Sequence, residues 1–221
     1  MRYDKNALIF LGPPGSGKTT IASKVAFYFG VETVETGRLL REKVKNESEL
    51  SNKIRPFIES GKLVPSDLVA KLVQKKIELM DTNIIIFDGF PRRDDQIELF
   101  FRISQDVGFN FIAVIVLLIS RTTSEKRLMG RRVCSKCGTV YNIYFNPPRE
   151  DACNICGGKL VRREDDTPEV IHKRLNTYEY ETVPVIKYFE RNYPQITYSE
   201  SVEKPMEIIF DSILTIIDKV K

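Results

Sequence analysis

The stretch GPPGSGKTT, Gly12–Thr20, decides the fold. Within it Gly12, Gly17, Lys18 and Thr19 satisfy G-x-x-x-x-G-K-[ST], a loop whose backbone amides turn together toward one anion while the lysine adds a full positive charge. The motif has meaning only between a strand and a helix. Here the apolar run Ala7–Leu11 precedes it and the helical pattern of Lys18–Phe29 follows, so the positive end of a helix also faces the anion. That junction predicts an α/β protein with a parallel sheet flanked by helices on both sides.

Outward from the loop, Ile84–Phe87 and Ile112–Ile119 read as further strands buried on both faces, and Ile196–Ser199 as a shorter one. Helical patterns cover Leu39–Val44, Ser66–Met80, Asp94–Val107, Glu125–Gly130, Glu169–Arg191 and Met206–Val220, with Thr122 and Glu125 spaced as a capping box. Two segments break the alternation: Glu35–Val64 is a charge-rich, mostly helical insertion, and Val133–Asp166 holds all four cysteines. Neither an internal repeat nor a low-complexity tract is present. With 42% hydrophobic and 29% charged residues over 221, the chain has the balance of one folded domain carrying inserted pieces, not of a disordered or fibrous protein.

The opening MRYDKNALIFLG runs into the glycine loop instead of a small-residue cleavage site, so no secretory signal is read and a cytoplasmic protein is expected. The longest apolar run, Phe111–Ile119, is nine residues, too short against the ~18 of a membrane helix. No membrane partner is expected.

Asp88 follows four apolar residues in IIIFDGFPRR, Ile84–Arg93. A carboxylate at the C-terminal end of a parallel strand lies on the same rim as the phosphate loop and is placed to hold Mg²⁺, directly or through its waters. By itself such a residue is a turn aspartate before glycine; beside the loop the metal reading prevails.

Cys134, Cys137, Cys153 and Cys156 form C-x₂-C-x₁₅-C-x₂-C, a zinc spacing with glycine after each pair. Two disulfides are the competing reading, disfavoured in a reducing compartment. Four thiolates leave zinc no open coordination position, so the expected metal is structural.

Together these stretches resemble adenylate kinases of the long-lid bacterial type with a zinc-binding lid. The resemblance spans nearly the whole chain: GPPGSGKTT, TGRLLR (Thr36–Arg41), GKLVPSDLV (Gly61–Val69), DGFPRR (Asp88–Arg93), GRRVCSKCGTVYN with FNPP, CNICGGKL, and RREDDTPEVIHKRL. It implies a phosphate-loop core (1–34, 65–129 and 167–221), a helical AMP-binding segment (35–64) and a zinc-bound lid (130–166). The implied reaction is Mg·ATP + AMP ⇌ 2 ADP in a monomer. By resemblance, Gly15, Ser16, Gly17, Lys18, Thr19, Thr20, Arg127, Arg131, Val140, Tyr141 and Lys204 contact ATP. Thr36, Arg41, Lys62, Leu63, Val64, Gly89, Phe90, Pro91, Arg92, Gln96, Arg163 and Arg174 contact AMP. Lys18, Asp88, Arg92, Arg131, Arg163 and Arg174 are the expected catalytic set, because phosphoryl transfer needs anions held in line and charge neutralised more than it needs a general base. Forked guanidiniums suit that work.

Three positions depart from the family pattern. Thr19 stands in place of glycine and offers a hydroxyl to Mg²⁺; Arg38 replaces the aspartate of TGD and is expected to face solvent; Ser66 replaces a commonly acidic residue and is expected to cap its helix. A kinase for another nucleoside monophosphate is the nearest alternative, disfavoured by Gln96 and the long lid. A nucleic-acid module gripping a backbone with its zinc knuckles and arginines is a second, disfavoured by a net charge of only +4. His172, the sole histidine, is expected on a solvated helix face. Asp165 and Asp166 are expected at the lid hinge, and the aromatics of YFERNY in helix packing.

Overall fold

The computed structural model describes residues 5–45 and 48–220. The first four residues of the N-terminal reading, and residues 46–47 of the charge-rich insertion, lie outside these. Eight strands occur among the described residues: β1 (Lys5–Leu11), β2 (Thr33–Glu35), β3 (Ile84–Asp88), β4 (Phe109–Leu118), β5 (Arg131–Cys134), β6 (Val140–Asn142), β7 (Leu160–Val161) and β8 (Thr197–Ser201). Five form one sheet in the order β2-β3-β1-β4-β8, every pairing parallel, which bears out the α/β reading. The other three form a small antiparallel sheet in the order β6-β5-β7 within the cysteine-bearing segment.

The central strand shows why the sheet must be covered twice. In a strand successive side chains point to opposite faces. Ala7, Ile9 and Leu11 join one buried cluster with Val73, Ile77, Phe100, Ile103 and Phe189, from α4 (Ser66–Glu78), α5 (Asp94–Val107) and α8 (Val183–Asn192). Leu8 and Phe10 join the other with Ile21, Val25, Ile209, Ile213 and Ile217, from α1 (Lys18–Phe29) and α9 (Met206–Val220). Each fully buried side chain of this size contributes ~1.5–3 kcal/mol through the apolar surface it removes from water. The aromatics of YFERNY lie in the first layer, where Phe189 and Tyr193 pack on Phe111, with ring centroids 6.0 and 4.9 Å away.

Local chemistry shifts several expected boundaries. The insertion folds as α2 (Thr36–Lys45) and α3 (Glu49–Ser60), the latter capped by Ser48, whose hydroxyl accepts from the Ser51 amide. The short strand β2, which carries only Thr-Val-Glu, has too little apolar pattern to read from sequence; pairing with β3 creates it. The expected capping box is corrected. Helix α6 (Arg121–Met129) starts earlier, because Ser120 accepts from the Thr123 amide, and Glu125 instead pairs with Arg121 at 3.2 Å. Ser66 is not a cap either: its hydroxyl donates to Asp95 Oδ1 at 2.8 Å, while Pro65 occupies the position before α4. The long helix expected over Glu169–Arg191 is α7 (Pro168–Thr177) and α8, joined by a π-helical turn at Tyr178–Thr182.

Candidate active site

The parallel sheet brings three loop starts to one edge: Gly12 after β1, Gly89 after β3 and Ser120 after β4. Gly12 has φ 141°, and a Cβ there would stand 2.6 Å from the Leu117 carbonyl oxygen, so only glycine lets the loop leave the sheet. Within the loop, Lys18 Nζ donates to the carbonyls of Gly12 (2.7 Å) and Pro13 (2.8 Å), and lies 3.4 Å from Ser16 Oγ. Gly15 and Gly17 take positive φ, Ser16 is buried, and Thr20 is exposed on the first turn of α1. Ser124, on α6, donates to the Pro14 carbonyl and ties the loop to that helix. No sequence signal marks this serine.

Asp88 ends β3 and is 2% exposed. Thr19 donates its hydroxyl to Asp88 Oδ2, whereas Asp88 Oδ1 is buried without a hydrogen-bond partner among the described residues. An orphaned carboxylate oxygen beside a hydroxyl oxygen, on the edge that meets phosphates, fits a hard divalent cation such as Mg²⁺.

The arginines converge on the same edge. Arg92 is fixed at three points: its Nε donates to the Gly89 carbonyl (2.7 Å), its amide to Gln96 Oε1 (2.8 Å), and its carbonyl accepts from Thr182 Oγ1 (3.0 Å). Gly89 has φ 73° and lies so close under the Arg92 guanidinium that a Cβ would collide with it. Arg131 makes a two-pronged pair with Asp166, and Arg174 reaches Asp166 at 3.0 Å and Asp165 at 3.2 Å. Arg163 pairs with Asp165 at 3.2 Å, yet its Nη2 is buried without a hydrogen-bond partner. Asp166 is fully buried, so the expected hinge pair is a pair of anchors for arginines.

This cluster has more cation than anion. Burial, then the Arg92 charge, lowers Lys18 to about 7, with Asp88 pulling the other way. Burial, then Arg131 and Arg41, lowers Arg163 to about 9, and burial also lowers Arg92 and Arg174. Cations packed so that each opposes the others' charge form a receptor for a polyanion, which would relieve all of them.

On the side of α2 and α3, Thr36 is buried and donates to the carbonyls of Asp88 (3.0 Å) and Gly89 (2.9 Å). Arg41 Nη2 lies 3.0 Å from Glu35 Oε1. Arg38 is half exposed, as expected, and sits 3.8 Å from Glu35 and 4.0 Å from Glu42. Burial and Asp88 raise the Glu35 carboxyl, against the pull of Arg41, Arg38 and Arg163. Lys62, Leu63 and Val64 connect α3 to α4, next to Gly61, which packs against Arg174 and Val170. Phe90, Pro91 and Gln96 are buried; the Phe90–Pro91 peptide is cis.

On the opposite side, Arg127 lies over the Phe145 ring (5.2 Å to the centroid) and donates to the Val202 carbonyl at 2.8 Å. Lys204, two residues on, is exposed and pairs with Glu200 at 3.0 Å. Val140 and Tyr141 lie on β6; the buried Tyr141 hydroxyl accepts from the Asn154 amide (2.9 Å) and lies 3.4 Å from Cys153 Sγ. His172 is a half-exposed surface residue 3.4 Å from Glu125.

The four cysteines are free and their sulfurs all lie within 4.8 Å of one another, with Cys134–Cys156 at 3.5 Å and Cys137–Cys153 at 3.6 Å. Zinc–sulfur bonds of ~2.3 Å in a tetrahedron set sulfurs about 3.8 Å apart, whereas a disulfide needs about 2.05 Å. The cluster fits one tetrahedral metal.

No helix among the described residues is long and apolar enough to cross a membrane. Comparison with known proteins agrees with the geometry. The family model described as adenylate kinase matches residues 10–193. The chain is 36% identical over 216 residues to the adenylate kinase of Archaeoglobus fulgidus, covering 97% of this chain and 99% of that one. It is 35% identical to that of Thermosipho africanus, over 95% and 98% of the two chains, and 35% identical to that of Pyrococcus abyssi, over 92% and 93%. With the phosphate loop and the arginine cluster at the edge of the parallel sheet and the cysteine site on the small antiparallel one, the chain belongs to the adenylate kinase family.

Proposed function

We propose that the chain catalyses reversible phosphoryl transfer from Mg·ATP to AMP, giving two ADP and balancing adenine nucleotides. The observation that carries this reading is the set Lys18, Arg92, Arg131, Arg163 and Arg174, drawn from five separate segments onto one edge with too few carboxylates to neutralise it. Two nucleotides meeting end to end bring several phosphate charges to one point. A phosphate oxygen of AMP forms a bond to the γ-phosphorus while the bond from that phosphorus to the β,γ-bridging oxygen breaks and its electrons stay on ADP. The attacking oxygen is already ionised, so the protein's task is alignment and charge neutralisation.

In this reading the amides of Gly15–Thr20 and Lys18 hold the ATP phosphates, with Arg127, Arg131, the β6 backbone at Val140 and Tyr141, and the Lys204 backbone completing the ATP side. Thr36, Arg41, the Lys62–Val64 backbone, Gly89–Arg92 and Gln96 form the AMP side, and Arg163 and Arg174 join the two. Asp88 and Thr19 would hold Mg²⁺, which when bound neutralises and orients the ATP phosphates. The core comprises 1–34, 65–129 and 167–221, the AMP segment 35–64 and the lid 130–166. Closure of the lid excludes water, which otherwise competes with AMP as acceptor.

The four cysteines would hold zinc with a purely structural role, since a segment this small gains little from its own apolar core; such a metal contributes on the order of 10 kcal/mol. The protein acts as a cytoplasmic monomer. A coupled assay of ADP formation tests the reading. ADP must form from ATP only when AMP is added, and faster than with GMP, CMP or UMP. Activity with another monophosphate but not AMP would replace it.

A further inference from the structure

Glu35 stands at the end of β2, immediately before α2, in register with Asp88 on the neighbouring strand. No phosphate-binding pattern in the sequence includes it. Its side chain is 13% exposed, and each carboxylate oxygen faces a different arginine: Oε1 lies 3.0 Å from Arg41 Nη2, and Oε2 lies 3.8 Å from Arg38 Nε. Arg41 is confined from the other side as well, because a Cβ on Gly37 would stand 3.0 Å from its Nη1. The guanidinium is therefore gripped between the first turn of α2 and a carboxylate at the sheet edge.

A carboxylate at this place is unexpected in a receptor for anions. It stands in register with Asp88 and against Arg41, the arginine assigned to the AMP side, where its charge by itself opposes binding. Two effects compete: through-space repulsion of the incoming phosphate, and alignment of the arginine that receives it. An arginine with a long flexible stem loses side-chain entropy when it is fixed on a ligand, and a partner that fixes it beforehand removes that cost.

We propose that Glu35 is a positioning residue for acceptor binding: it holds the Arg41 guanidinium in the orientation that receives the monophosphate, and this alignment outweighs its repulsion of the anion. Arg38 on the second oxygen keeps the carboxylate from turning away from Arg41. The proposal rests on the assignment of Arg41 to the AMP side.

The two effects give opposite signs in Glu35→Gln, which keeps the shape and removes the charge. Measured at alkaline pH, where the carboxyl is ionised despite its burial, loss of alignment raises the KM for AMP about 5-fold or more. The change in kcat is smaller and the KM for ATP stays as it was. Loss of repulsion alone would lower the KM for AMP; that result, or no change, overturns the proposal. In an Arg41→Met background, where only the repulsion is left to remove, the same Glu35→Gln change is expected to leave the KM for AMP unchanged or lower it; an undiminished rise there also overturns the proposal. Should the glutamine variant fail to fold, Glu35→Asp, which shortens the reach and keeps the charge, is expected to raise the KM for AMP, and an unchanged value overturns the proposal. Wild-type protein that forms no ADP from ATP and AMP would instead sink the functional reading itself.

Discussion

The hydroxyl of Thr19 donates to the carboxylate of Asp88, joining the first turn of α1 to the end of β3 across the edge where phosphates are expected. The pair leaves Asp88 Oδ1 free of hydrogen-bond partners, so one hydroxyl and one carboxylate stand ready for a cation. Replacing Thr19 by glycine removes one oxygen from that set. The Mg²⁺ concentration needed for half-maximal activity is expected to rise about 5- to 30-fold, the equivalent of ~1–2 kcal/mol for one lost polar interaction. Titration of activity with Mg²⁺, and of Mn²⁺ binding by electron paramagnetic resonance, checks this; an unchanged requirement in both sinks the idea.

Lys18 gives a pH dependence with a definite sign. Burial and Arg92 lower it to about 7 in the free protein, so above that pH the amine is largely neutral. A triphosphate beside it favours the ammonium and lifts it back toward its ordinary range. ATP binding therefore takes up a proton, and ATP affinity falls by up to about tenfold per pH unit as pH rises above the free-protein value. Calorimetry at about pH 8 in two buffers of different ionisation enthalpy should show uptake approaching one proton per ATP from this group. Equal heats in the two buffers would count against it.

Asp166 is fully buried and pairs with both Arg131 and Arg174. Its conversion to asparagine leaves Arg131 without its counter-charge and Arg174 with Asp165 alone. The expected loss is ~3–5 kcal/mol of folding stability, as when one partner of a buried ion pair is removed. Urea unfolding measures it. A fall in kcat should accompany the loss, because the proposed function sets the same arginines on the transferred phosphoryl group.

Removing the metal proposed for the four cysteines is expected to loosen β5–β7 and leave the five-stranded sheet intact. Hydrogen exchange on chelated protein, or on a Cys153→Ser variant, should show faster exchange between Arg131 and Val161 with little change in β1, β3 and β4. Equal acceleration in both sheets would mean that the metal stabilises the whole chain and not one segment.

Phe100 tests the separation of core from site. It is fully buried and meets Phe87, Phe109 and Phe111 at ring-centroid distances of 5.4, 5.6 and 5.7 Å. Truncation to alanine should cost ~3–5 kcal/mol through lost burial and the cavity left behind. The KM values for both nucleotides should hold at temperatures where the variant remains folded.

Sequence alone determined the phosphate loop, the α/β class, the metal spacing of the cysteines and most of the arginine set. Each is a local pattern: glycines that permit one backbone turn, runs that alternate between strand and helix periods, thiols with two residues between them. What the tertiary structure decided lies between segments distant in the chain. It set Ser66 on Asp95 instead of on its own helix. The same long-range packing created the short strand β2 by pairing it with β3, and buried Asp166 under two arginines. It also placed Thr19 on Asp88 and set Glu35 in register with Asp88 on the neighbouring strand. The physical reason is range: a turn or a helix is specified by residues a few positions apart, whereas the partner of a carboxylate is set by which strand ends the sheet brings to one edge.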